Sequence, residues 1–106
     1  MILFKPEHVA PILSGRKTET RRYWKKFRVN VGSIQLAKTQ MISKEYFARL
    51  EILDRWEEAL GDISPRSISN EGYDSLEGYK AVLEAINKRP WDDNEVVKVV
   101  KFRVVP

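Results

Sequence analysis

Apolar and polar residues change period several times along this chain, and each period predicts an element. Ile2-Leu-Phe4 is a short apolar run, after which Pro6 is suited to open a helix in which Val9, Ile12 and Leu13 recur at helical spacing. Pro11 predicts that this helix is short or kinked, and Ser14-Gly15 supplies its stop. Thr18 to Trp24 is rich in β-branched and aromatic types and reads as a strand, with Thr18, Thr20 and Arg22 on one face and Glu19, Arg21 and Tyr23 on the other. Val31-Gly-Ser33 reads as a turn before a strand from Ile34 to Thr39. From about Tyr46 to Trp56 the apolar positions Tyr46, Ala48, Leu50 and Ile52 alternate with Arg49 and Glu51, the period of a half-buried strand.

The last third of the chain turns helical. Ser64-Pro65 is an N-cap with proline at the first helical position, giving a short helix to about Asn70 that stops at Gly72. Asp74-Ser-Leu-Glu77 matches a capping box, and Leu76, Tyr79, Val82, Leu83 and Ile86 form one apolar helix face. Pro90 ends that pattern, and Glu95 to Val105 reads as a final strand in which Val96, Val100, Phe102 and Val104 share a face with Lys98. The expected core is Ile12, Leu13, Leu50, Val82, Ile86, Val100 and Phe102. Strand, helix, several strands, two helices and a strand is not the regular alternation of a doubly wound sheet. It predicts one α+β domain over residues 1–106, built on a small, curved, mostly antiparallel sheet or barrel with flanking short helices.

Composition narrows the chemistry. The absence of cysteine excludes disulfides, thiolate metal sites and a cysteine nucleophile, and the single histidine, His8, speaks against a histidine-built metal centre or a Ser-His-Asp triad. No cofactor and no metal are expected, and His8 reads as a structural or solvated residue on the first helix. The longest uncharged run, Val29 to Ala37, is nine residues where a bilayer span needs about 20, so a cytoplasmic protein without membrane attachment is expected. The net charge of +4 is uneven: residues 1–28 hold eight Lys/Arg and two acids, +6, and the remainder holds eleven against thirteen, −2. One sign concentrated in a short segment suggests a docking surface for phosphate or another anion.

The informative segment is Ser14-Gly-Arg-Lys-Thr-Glu-Thr-Arg-Arg22. It resembles the signature of the ASCH domain (activating-signal-cointegrator homology) family, a Gly-x-Lys-x-x-Thr-x-Arg-like run after the first helix, with Gly15, Lys17, Thr20 and Arg22 at those places. Phe4-Lys-Pro6, Val31-Gly-Ser-Ile34 and Asn70-Glu-Gly-Tyr-Asp-Ser-Leu76 extend the resemblance over nearly the whole chain. It implies a PUA-like β-barrel with flanking helices and a cleft beside the first helix, a fold related to domains that bind RNA and modified bases. The residues themselves add Arg16, Lys17, Arg21, Arg22, Lys25, Lys26 and Arg28 within thirteen positions, interrupted only by Glu19, for which phosphates are the complement. Tyr23, Trp24 and Phe27 are interleaved with them, either as stacking platforms for unstacked bases or as barrel core beneath a solvated basic rim. The expected RNA-binding residues are Arg16, Arg21, Arg22, Trp24, Lys25, Lys26 and Arg28, and the expected ligand is RNA or a modified nucleobase in a basic cleft.

The resemblance also carries an enzymatic alternative. Some small bacterial ASCH proteins look like amidohydrolases acting on N4-acetylcytidine, with a Lys and a Thr from the signature and a Glu before the late helix. Those places are held here by Lys17, Thr20 and Glu71. A threonine hydroxyl needs a neighbouring base to act as nucleophile, and a neutral lysine can serve. Residues i and i+3 point to opposite faces of a regular strand, so Lys17 can meet Thr20 only from the turn before it. Glu19 and Arg21 flank Thr20 where the resemblance to that enzyme branch leads one to expect apolar residues, which favours binding over catalysis. A pure protein-interaction module would need an exposed apolar stripe, and the one on Leu76 to Ile86 reads as core.

Overall fold

The computed structural model describes all 106 residues. Its elements are β1 (Ile2–Leu3), a 3-10 turn (Pro6–His8) running into α1 (Val9–Leu13), β2 (Glu19–Arg22), β3 (Ile34–Lys38), β4 (Ala48–Ala59), a second 3-10 turn (Leu60–Asp62), α2 (Pro65–Asn70), α3 (Leu76–Asn87) and β5 (Val96–Val105). The strands form one sheet in the order β1-β3-β4-β5-β2, curled into a half-barrel whose two free edges are β1 and β2. Three pairings are antiparallel and only β1 with β3 is parallel, so the fold is the α+β, mostly antiparallel PUA-like one expected.

The centre of the sheet is β5, which pairs with both β4 and β2 and is covered on both faces. Val100 and Phe102 join Ile2, Phe4, Ile12, Leu50 and Ile52 in one apolar cluster, while Val97 and Val99 join Leu60, Tyr79 and Leu83 in another. Successive side chains on a strand alternate faces, so the two clusters lie on opposite sides of β5. A bulge at Leu53 breaks the β4–β5 register between Ile52 and Asp54, and it reverses which β4 residues share each face. Beyond it, Trp56 and Glu58 stand opposite Val99 and Val97, on the side of the second cluster.

Some expectations are corrected. Leu13 is exposed, because α1 is only five residues long and buries Ile12 alone. Val96 and Val104 are exposed at the ends of β5, whereas Val97 and Val99, assigned to the other face, are buried under α3. Tyr46 lies outside β4, and the strand continues past Trp56 to Ala59. Ser64 caps α2 as expected, accepting from the Ser67 N–H at 3.1 Å. At α3 the cap is Ser75 rather than Asp74, its Oγ accepting from Gly78 N–H at 3.1 Å. No helix is long and apolar enough to cross a membrane.

Candidate functional site

The two free edges of the half-barrel face a cavity of about 270 Å³. Leu3, Phe4 and Lys5 line it from the β1 edge, Thr20, Arg21 and Arg22 from β2, and Val82, Leu83, Ile86 and Asn87 from α3. The cavity is therefore the seam where the sheet fails to close, roofed by a helix. In the β2–β5 ladder Phe102 N–H bonds the carbonyl of Thr18, so the main chains of Thr20 and Arg22 also turn toward β5 while those of Glu19 and Arg21 point to the open edge.

Two turns bring the signature to this seam. The chain leaves α1 through Gly15, whose φ of 80° is the left-handed conformation that glycine tolerates, and Lys17 then bonds back from its N–H to Pro11 O at 3.0 Å. Gly72, with φ 97°, turns the chain out of α2, and a Cβ there would stand 3.6 Å from the Cβ of Lys17. Between these turns Thr18 N–H donates to Asn70 O at 2.7 Å, fastening the entry of β2 to the end of α2. Lys17 thus sits in the turn before β2, beside Glu71, the C-cap of α2, although the two are far apart in sequence.

Behind the cavity lies a buried ion cluster. Lys17 Nζ donates to Glu71 Oε1 at 2.7 Å, to Glu19 O at 3.0 Å and to Glu71 O at 3.2 Å. Arg21 reaches Glu19 at 3.2 Å, Glu71 at 3.1 Å and both carboxylate oxygens of Glu58 at 3.3 Å. Tyr79 OH donates to Glu71 Oε2 at 3.2 Å, and Asn70 Nδ2 to Glu19 Oε2 at 2.8 Å. Burial works against the Arg21 charge, but Glu71, Tyr79 and Glu58 outweigh it and hold the guanidinium pKa above its ordinary value. Burial, reinforced by Glu71, raises the Tyr79 phenol, which stays a neutral donor. One donor of the cluster, Arg21 Nε, is buried without a partner.

This overturns the expectation that Arg21 belongs to an exposed basic surface. Its side chain is 1% exposed. Period-two alternation puts Glu19 and Arg21 on one face of β2, and the fold closes α2, α3 and Glu58 of β4 over that face. Lys17 and Arg21 meet three carboxylates, Glu19, Glu58 and Glu71, a balance of +2 against −3.

Arg22, on the opposite face of β2, supplies the missing positive charge. Its Nε donates to Thr20 Oγ1 at 3.0 Å and its guanidinium lies 4.9 Å from the centre of the Phe4 ring, but no carboxylate pairs with it. Its two terminal nitrogens make no hydrogen bond within the chain, and burial lowers its pKa from the ordinary value. His8, expected to be structural or solvated, takes the structural alternative. It lines the cavity and its Nε2 lies 2.9 Å from the Tyr73 hydroxyl, a partner 65 positions away that no local motif announces. Burial, aided by Lys17, lowers the His8 pKa to about 4, so the imidazole is neutral at pH 7.

The remaining basic residues behave differently. Lys25, Lys26 and Arg28 are exposed on the loop that continues from β2. Arg16 is exposed too, but pairs with Asp74 at 2.6 Å. The aromatics between them already carry cations from their own chain: Arg28 over Trp24 at 5.4 Å, Arg89 over Tyr23 at 4.2 Å, and both Arg55 and Lys98 over Phe27, at 4.5 and 5.5 Å. Trp24 and Tyr23 also pack against the two apolar clusters, so these rings serve the fold as much as any ligand.

The geometry defines a PUA-like half-barrel with a mixed apolar and cationic cavity at its seam. Among solved structures of the same fold, the ASCH domain of Lactobacillus crispatus aligns over 91% of this chain and 69% of its own length, with a TM-score of 0.72 and 16% identity. A DUF984-family protein of Enterococcus faecalis aligns over 93% of this chain and 67% of its own, with a TM-score of 0.70 and 16% identity. No family profile and no curated protein matches at the sequence level. The fold of this chain is the ASCH-domain fold, as the signature implied.

Proposed function

We propose that the protein binds single-stranded RNA by taking one base, modified or unmodified, into the seam cavity. Lys25, Lys26 and Arg28 hold the adjoining phosphates. The observation that carries this reading is the guanidinium of Arg22, its two terminal nitrogens without a partner, inside a cavity walled by Phe4, Val82 and Ile86. A planar fork of donors matches a pair of neighbouring acceptors such as the ring nitrogen and carbonyl of a base, and the apolar wall matches its faces. With the cluster behind it at −1, Arg22 brings the buried part of the site to neutrality, three cations to three carboxylates, and leaves Lys5 as the one further cation of the lining, exposed to solvent; that interior suits a neutral heterocycle better than a phosphate. Phosphate belongs on the exposed loop, where the charge is free.

The test is fluorescence anisotropy with single-stranded RNA across a salt series, alongside calorimetry with free nucleosides. RNA affinity should fall steeply as salt rises, while nucleoside binding should change little. A flat salt response for RNA together with no nucleoside binding would sink the reading.

One observation favours amidohydrolysis of an N4-acetylated cytidine as the second reading: Lys17, Thr20 and Glu71 line the same cavity. In that chemistry the Thr20 oxygen attacks the acetyl carbonyl, its proton passes through a base to the departing amine, and water then releases acetate from the acyl-threonine. The three acceptors around Lys17 Nζ take up the hydrogens of an ammonium and leave no lone pair directed at Thr20. Binding without turnover is therefore the expected outcome when wild type and Thr20→Ala are incubated with N4-acetylcytidine. Release of cytidine by the wild type alone would establish the enzyme.

A further inference from the structure

The aromatic residues interleaved with the basic segment are occupied, yet one ring in the molecule is free. Tyr46 is 50% exposed, makes no ring or cation contact within the chain, and lines a second cavity of about 210 Å³ with Thr39, Gln40, Ser43, Glu45 and Phe47. Thr39 lines the seam cavity as well, so the two adjoin. They are joined a second way: Phe4, whose ring lies under Arg22 in the first cavity, meets Phe47 of the second edge-on at 6.1 Å.

The loop that carries this site is fastened rather than loose. Lys38 Nζ donates to Ser43 O at 2.7 Å, Glu45 N–H to Ser43 Oγ at 3.0 Å and Phe47 N–H to Ala37 O at 2.9 Å. Lys44, two positions before Tyr46, is exposed, and so is Lys5, which lines the seam cavity. Fastened backbone, a free aromatic face, flanking lysines and a carboxylate able to accept from an exocyclic amine are what a nucleotide subsite requires.

We infer that Tyr46 is the stacking platform of a second nucleotide subsite, which holds the base next to the one in the seam cavity, with Glu45 reading its edge. The preferred ligand is then an RNA strand of at least two nucleotides rather than a free nucleoside. This rests on the seam cavity being a base site. Stacking on an aromatic ring is tolerant of sequence, so the subsite adds affinity for a strand and leaves the choice of base to Arg22 and, more weakly, to Glu45.

The experiment compares wild type, Tyr46→Ala and Tyr46→Trp for binding of a single-stranded RNA tetranucleotide and of the matching free nucleosides, with thermal melting as a control for folding. Tyr46→Ala should weaken tetranucleotide binding by about tenfold, within the range for losing one stacked base, and leave nucleoside binding and melting unchanged. Tyr46→Trp should restore the tetranucleotide affinity. Equal tetranucleotide binding by wild type and Tyr46→Ala would overturn the subsite while leaving the seam reading intact. So would a Tyr46→Ala effect confined to self-association in sedimentation. Failure of wild type to bind both nucleoside and tetranucleotide would overturn the two readings together.

Discussion

The basic segment divides into two parts that share a composition and differ in almost every physical respect. In the first, Lys17 and Arg21 are buried against three glutamates from β2, β4 and the end of α2, and the charge is spent inside the fold. In the second, Lys25, Lys26 and Arg28 are exposed with no carboxylate partner, and the charge reaches solvent. Between them Arg22 is half-buried in the cavity wall and has no carboxylate partner. A positive run along a sequence is thus a poor measure of a positive field: what matters is which charges find a counter-ion when the chain folds. Buried pairs resist screening by salt, and exposed charges do not.

Replacing Glu71 by Ala should give the largest effect, because it leaves buried Lys17 with no carboxylate partner and takes one of three from Arg21, along with the acceptor of Tyr79. A loss of about 3–5 kcal/mol is expected from urea unfolding, enough to remove much of the stability of a domain this size. A loss below 1 kcal/mol would mean that the cluster is hydrated and that the two parts of the segment differ less than their burial implies. Truncating Lys25, Lys26 and Arg28 together should do the opposite. Stability should stay within about 0.5 kcal/mol, whereas RNA affinity falls by roughly 1–3 kcal/mol at low salt and the slope of log affinity against log salt drops by about 2.

Arg22→Gln sharpens the boundary between the two. It should weaken nucleoside binding by about 1–2 kcal/mol while leaving the salt slope for RNA nearly as in the wild type. A change in slope equal to that of Lys25→Ala would place Arg22 among the phosphate contacts instead. His8 gives the smallest effect. Its pKa is about 4 in the folded chain against 6.5 in the unfolded, so between these values the unfolded chain takes up a proton that the folded chain does not. The neutral imidazole therefore costs nothing above pH 6.5, and stability is lost as the pH falls toward 4. His8→Gln should remove that part of the acid sensitivity, visible as a smaller drop in melting temperature between pH 7 and pH 4.5. An unchanged drop would assign the acid response to other groups.

Local patterns carried much of this. Period-two alternation placed Glu19 and Arg21 on one face of β2 and Thr20 and Arg22 on the other, which is how they stand. Gly15 and Gly72 were readable as stops because the turns there require positive φ. Glu58 was not readable. Its arrival beside Arg21 depends on the bulge at Leu53, which changes the face of every later β4 residue and leaves no mark in the alternation before it. Tyr73 could not be matched to His8, nor Asp74 to Arg16, because those contacts join segments more than 50 positions apart that meet only in the folded chain.

The sequence by itself determined the order and type of the elements, the positions of the turns, the alternation of β2 and the run that resembles the ASCH signature, because each is set by neighbours along the chain. Only the tertiary structure decided which charges are neutralised, that the half-barrel stays open between β1 and β2, and that Arg22 stands at that seam without a counter-ion. Burial and ion pairing depend on distances between residues 30 to 60 positions apart, and spacing along the chain says nothing of those distances until the sheet curls and the helices close over it.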